Sequence, residues 1–207
     1  MTLTPLHVAF VWWMLKPGLG RLSFAAMTVG AMIPDIEPLV AWIFGWSVFC
    51  GWDFPCSPAP DRLVLHSIVG ALTVDVALTI LFVKILGRLL KVGRLGIRGF
   101  DRVKIMDVSL YVSAAIGALS HVLVDWLHHP ANPIFWPFLV NGSYYVGGLL
   151  LQFMGVLPAS ALVAAVSSAI MVATVNRALN KSGHNFWLVL SNPPKALMLI
   201  TENLSKS

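Results

Sequence analysis

Three stretches of this chain, about 63–86, 108–127 and 146–175, run for roughly 20 residues or more with almost no charge. At a rise of about 1.5 Å per residue, a helix of that length covers a hydrocarbon core about 30 Å thick. Runs this long and this apolar cannot all be hidden from water inside one small fold. Composition says the same of the whole chain: 57% hydrophobic and 11% charged over 207 residues, with a mean hydropathy of +0.81. Soluble domains carry about 25% charged residues. The expected fold is therefore all-α, a polytopic integral membrane helical bundle forming a single transmembrane domain over residues 1–207. Its expected place is the cell membrane, with membrane lipid as its first partner. The formal charge of +5 then reports topology and contact with anionic headgroups, and no nucleic-acid partner is expected.

The N-terminal part is more broken. Short apolar runs at about 3–15, 22–33 and 40–49 are too brief to span alone and predict short re-entrant or broken helices. Lys16-Pro17-Gly18 ends the first, and Pro34-Asp35-Ile36-Glu37-Pro38 ends the second, with a proline on each side of two acids. The third leads into a loop holding Cys50 and Cys56, either a disulfide around Trp52 and Asp53 or two buried thiols. No basic leader or small-residue cleavage site is evident, so the first residues are read as mature protein. The C-terminal segment 184–207 is interrupted by Pro193-Pro194 and is expected either on the membrane surface or as one more short helix.

Charge sets the orientation. The segment 88–104 carries Arg88, Lys91, Arg94, Arg98, Arg102 and Lys104, and the positive-inside rule makes it a cytoplasmic loop. The span 63–86 then enters from outside, 108–127 exits, and 146–175 returns, leaving Arg177 and Lys181 inside. This arrangement puts Asp35, Glu37, Asp61, His66, His121 and Asp125 near the extracytoplasmic face.

Those residues carry the chemistry. An ionisable group within a span costs at least about 2.5–3.5 kcal/mol on insertion scales, so such groups are rare and usually functional. His121 and Asp125 are four apart, which puts an imidazole and a carboxylate on one helix face, as in two-ligand helical metal motifs. His66 opens the preceding span at a similar depth, and Asp61 can serve as cap or ligand. Asp35 sits in a helix break and His7 on the first short helix. Singly, each has a blander reading: a structural hydrogen bond for His121–Asp125, a helix cap for Asp35, a satisfied helix histidine for His7. Asp75 is read as an intramembrane polar residue, and His128 and His129 as loop residues facing water. Convergence of independent segments at one depth favours a divalent metal held by His7, Asp35, Asp61, His66, His121 and Asp125. Mixed nitrogen and oxygen ligands suit zinc first, with manganese and iron as alternatives.

The ordered set His7, Pro34-Asp35-x-Glu37, Arg62-x-x-x-His66-Ser67, His121-x-x-x-Asp125 and Trp136-Pro137-Phe138 resembles the membrane-bound metal-dependent hydrolases. That group includes the LexA-regulated inner-membrane hydrolases of bacteria and their archaeal relatives. The resemblance covers about residues 1–140. Where the family usually has Pro-Asp-x-Asp this chain has Glu37, and where a histidine usually precedes the arginine it has Asp61. The resemblance implies a membrane-embedded metal hydrolase. It implies no substrate; from the residues and the site's depth in the bilayer, the leading expectation is hydrolysis of a phosphoester or related bond in a lipid or lipid-linked molecule, with Glu37 as general base and Arg62 as phosphate clamp. Two other classes use the same residues: an ion or proton transporter, and a non-catalytic scaffold whose polar cluster fixes helix packing.

Overall fold

In a computed structural model the chain is described over residues 4–14, 22–44, 62–92 and 108–205. The described residues form an all-α bundle whose only strand-like pairings are isolated bridges. In chain order the helices are α1 (Thr4–Met14), α2 (Phe24–Gly30), α3 (Ile36–Ile43), α4 (Ile68–Leu72), α5 (Val74–Val92), α6 (Val108–His128), α7 (Val156–Asn180), α8 (Trp187–Ser191) and α9 (Pro193–Ser205). Among the described residues, three segments are long and apolar enough to cross a membrane: Phe24–Ile43, Val108–His128 and Val156–Asn180.

Beside an apolar core, ionisable groups are buried and large apolar side chains face outward, a pattern suited to lipid as solvent. His7, His66, Asp75, His121, Asp125 and His128 are buried, while Trp42, Phe82, Leu89, Leu157, Val166 and Val172 are exposed. α6 is the central post. Its small residues let α2 approach closely: a Cβ at Gly30 would stand 2.7 Å from the Ala114 carbonyl oxygen, and one at Gly117 2.5 Å from that of Met27. The Ser23 amide, at the N-cap of α2, donates to Ser113 Oγ at 2.8 Å. α2 and α6 therefore run in the same direction, and the end of α2 arrives beside His121.

Several boundaries differ from expectation. The break in the second segment falls at residues 31–35, where a turn and a short 3-10 helix over Ile33–Asp35 precede α3. Pro38 does not end a helix. It lies in the first turn of α3, where a missing N–H costs no intrahelical bond. The helix expected from 63 begins instead at Ile68, because Ser67 caps it (Gly70 N to Ser67 Oγ 2.9 Å), and it is interrupted at Thr73. The span expected over 146–175 is shifted to Val156–Asn180. Val146 pairs with Asn132 in an antiparallel bridge, and Gly148 packs under the His129 carbonyl, where a Cβ would meet it at 2.8 Å.

The C-terminal segment resolves into two helices. Pro193 and Pro194 open α9 rather than break it, which the free N–H positions of a first turn allow. Ala196, Ile200 and Leu204 of α9 join Val8 and Val11 of α1 and Val175 and Leu179 of α7 in one buried cluster. Cys50, Cys56, Asp61, the end of the run 40–49 and most of the basic loop 88–104 lie outside the described residues.

Candidate metal centre

Four elements bring the polar residues to one point. α1 supplies His7, the start of α3 supplies Asp35 and Glu37, the turn before α4 supplies Arg62 and His66, and α6 supplies His121 and Asp125. Asp125 is the hub. Its Oδ2 lies 3.4 Å from His66 Nε2, 3.6 Å from His121 Nε2 and 3.6 Å from Arg62 Nη1. Its Oδ1 lies 3.5 Å from His7 Nε2 and 3.6 Å from His129 Nε2. Asp35 Oδ1 stands 3.6 Å from His121 Nε2. The rings of His7 and His121 stack with centroids 4.0 Å apart.

The far sides of the rings explain their aim. His121 Nδ1–H donates to the Ala31 carbonyl at 2.8 Å, and a carbonyl can only accept. His66 Nδ1 faces Glu37 Oε2 at 3.2 Å. Both rings therefore spend Nδ1 outward and turn Nε2 toward Asp125. Their Nε2 atoms, Asp125 Oδ2 and Asp35 Oδ2 are buried and have no hydrogen-bond partner among the described residues. With both imidazoles neutral, their Nε2 lone pairs would face carboxylate lone pairs, and a cation between them would turn that repulsion into coordination.

The separations are compatible with a metal between the groups. Hydrogen bonds of this type lie at about 2.7–3.2 Å. Donor atoms around a tetrahedral zinc, each about 2.0–2.1 Å from the ion, stand about 3.3–3.4 Å from one another. The 3.4–3.6 Å contacts of Asp125 Oδ2 and Asp35 Oδ1 with His66 and His121 are near that spacing. Among the described residues, three groups have ligand atoms within 4.8 Å of one another: His7, His121 and Asp125; Asp35, His66 and His121; and Asp125, His128 and His129.

Of the residues expected at the site, His7, Asp35, His66, His121, Asp125 and Arg62 converge there. Asp61 lies outside the described residues. Glu37 also arrives, with its carboxylate turned to backbone amides and to His66. Its carboxylate accepts the amides of Leu63 (2.8 Å) and Val64 (2.9 Å) and faces the outer nitrogen of His66, turned away from the ring's inner Nε2. Glu37 is a positioning residue for His66 and for the turn that carries it. The carboxylate–imidazole pair has the form that orients and strengthens a metal-ligating histidine.

Two residues read as loop histidines belong to the cluster. His128 is buried, with Nδ1 3.0 Å from the Val124 carbonyl, and His129 is mostly buried against Asp125. Burial pushes the His129 imidazole well below the usual histidine range. Their signal was present: His129 follows Asp125 by four, continuing the helical face begun by His121. Above the site, residues 132–146 fold over as a hairpin whose Ile134 carbonyl takes the Ile68 amide (3.0 Å), while Tyr145 Oη donates to the Arg62 carbonyl (3.2 Å).

No curated protein and no solved structure matches this chain. A family described as a domain of unknown function (DUF4184) matches it over residues 1–201, and the chain belongs to that family.

Proposed function

We propose that this member of the DUF4184 family is a membrane-embedded metal-dependent hydrolase acting on a phosphoester or related bond of a lipid or lipid-linked substrate. The observation that carries the reading is the buried meeting of His66 Nε2, His121 Nε2 and Asp125 Oδ2, three electron-rich atoms with no hydrogen bond among the described residues. His66, His121, Asp125 and Asp35 would hold the ion, with His7 beside them. The nitrogen and carboxylate set favours zinc, with manganese and iron next. Such an ion supplies Lewis-acid activation of water and of a phosphoryl oxygen near neutral pH.

The chain's own groups supply the remainder. Glu37 fixes His66 from behind, and Ala31 fixes His121. Arg62, buried beside Asp125, offers a fork of donors matched to phosphate oxygens. Access argues for a lipid-borne substrate: α3, which begins at the site, ends in the exposed apolar residues Trp42, Ile43 and Phe44. The positive-inside rule, applied to the basic loop and to Arg177 in the last turn of α7, puts the site near the extracytoplasmic face.

Elemental analysis of the detergent-purified protein tests this reading. Wild type is expected to carry near-stoichiometric zinc, manganese or iron that is absent from a His121→Ala/Asp125→Ala variant of equal helicity. Absence of metal in both, after incubation with each ion, would sink the hydrolase reading. A transporter is the second reading, favoured by Asp75, a buried acid on α5 outside the cluster. Cation or proton flux into vesicles containing only this protein would support it.

A further inference from the structure

Asp125 divides its partners between its two oxygens. Oδ2 faces His66 and His121, the core of the metal centre proposed above. Oδ1 faces the other way, toward His129 Nε2 at 3.6 Å and His7 Nε2 at 3.5 Å. Asp125, His128 and His129 each offer a ligand atom, all within 4.8 Å of one another. His128 is fully buried, and its ring lies 4.3 Å from that of His129, centroid to centroid. A carboxylate that presents one oxygen to each of two imidazole sets has the form of a bridging ligand, and two-metal centres hold their ions about 3.5–4 Å apart.

We infer that the chain holds a second divalent cation on the Oδ1 side of Asp125, ligated by Asp125, His128 and His129, and that an anion of the phosphate class completes it. This site rests on the first, since the two share Asp125. Charge explains why the anion is needed. Among the described residues, Asp35, Glu37 and Asp125 touch the imidazoles, and Arg62 offsets one of these three carboxylates. One divalent ion neutralises what remains. A second leaves two positive charges in a buried site, which is costly unless an anion enters with it. A phosphate dianion carries the matching charge, and Arg62 Nη1 stands 3.6 Å from the same carboxylate. The second ion and the phosphate group should therefore favour each other's binding, reciprocally.

Equilibrium dialysis of the full chain in detergent against zinc, with and without inorganic phosphate, tests this by stoichiometry rather than by turnover. Wild type is expected to take up two zinc ions per chain with phosphate, the second at least about tenfold weaker without it. His129→Gln, and separately His128→Ala/His129→Ala, should retain the first ion and lose the second. Dichroism and gel filtration confirm that each variant is folded. His129→Gln keeps a side chain of similar length in case the double variant unfolds. Wild type saturating at one zinc, or either folded variant still binding two, overturns the second site and leaves the first intact. Wild type binding no zinc overturns the first site and this one together.

Discussion

Glu37 Oε2 lies 3.2 Å from His66 Nδ1, and the same carboxylate accepts the amide hydrogens of Leu63 and Val64. One side chain at the start of α3 thus ties down both a proposed ligand and the backbone turn that presents it. The two segments are separated in sequence by the remainder of α3 and by residues 45–61. Their meeting builds one wall of the site.

Glu37→Gln is therefore expected to lower metal affinity by about 10–100-fold while leaving the chain folded. Glu37→Ala also leaves the Leu63 and Val64 amides without their acceptor and should cost about 1–3 kcal/mol of stability in addition. Zinc titration and thermal unfolding in detergent separate the two effects. Unchanged metal affinity in Glu37→Gln, with turnover alone abolished, would restore the general-base role.

Arg62→Ala should retain the metal. Removing a guanidinium from beside Asp125 Oδ2 takes away a competing cation, so affinity for zinc should hold or rise. Affinity of the zinc-loaded protein for inorganic phosphate should fall by at least about tenfold, read by calorimetry. Arg62→Lys should recover only part of it, since an ammonium lacks the planar fork. Loss of metal in Arg62→Ala would make this arginine a structural support for Asp125.

The buried polar cluster was legible because each of its members breaks an apolar pattern. His121 and Asp125 announce themselves by helical spacing, and His66 and Asp35 by interrupting runs that otherwise suit lipid. The contacts of Glu37 were not, because its partners lie 26 and 27 residues away in a turn that no periodicity encodes. His128 and His129 were masked by Pro130, which made them read as loop residues although they continue the face of α6. Helix starts were misplaced for a similar reason. Leu63–Leu65 and Val146–Gln152 are apolar enough for a span, but the first is held in a turn by Glu37 and much of the second lies in a bridge and a 3-10 turn. Hydropathy sees the solvent a residue prefers, not the hydrogen bonds that stop its helix.

Asp75 separates the enzyme from the transporter. It is fully buried on α5 one turn from Thr79, and neither its carboxylate oxygens nor Thr79 Oγ1 has a hydrogen-bond partner among the described residues. If its charge serves no transport, Asp75→Asn removes a costly group, leaves metal content unchanged and raises stability by about 1–3 kcal/mol. Thermal unfolding in detergent reads the gain. A stability loss accompanied by loss of cation or proton flux in vesicles would favour the transporter instead.

Packing and ligation are coupled at Gly117. A Cβ there would stand 2.5 Å from the Met27 carbonyl oxygen and 2.9 Å from the Ala31 nitrogen, both backbone atoms of the α2 end. Backbone cannot rotate away as a flexible side chain does, so α2 must shift off α6. Ala31 is also the residue whose carbonyl holds His121 Nδ1, and His121 lies one turn beyond Gly117 on the same helix. Gly117→Leu should therefore cost about 3 kcal/mol or more and lose metal at the same time. Val166→Leu, a change of similar chemistry on the exposed face of α7, should stay within about 0.5 kcal/mol and keep its metal. If Gly117→Leu binds zinc as wild type does, the close approach of α2 to α6 is not what aims His121, and the Ala31 contact is incidental to the site.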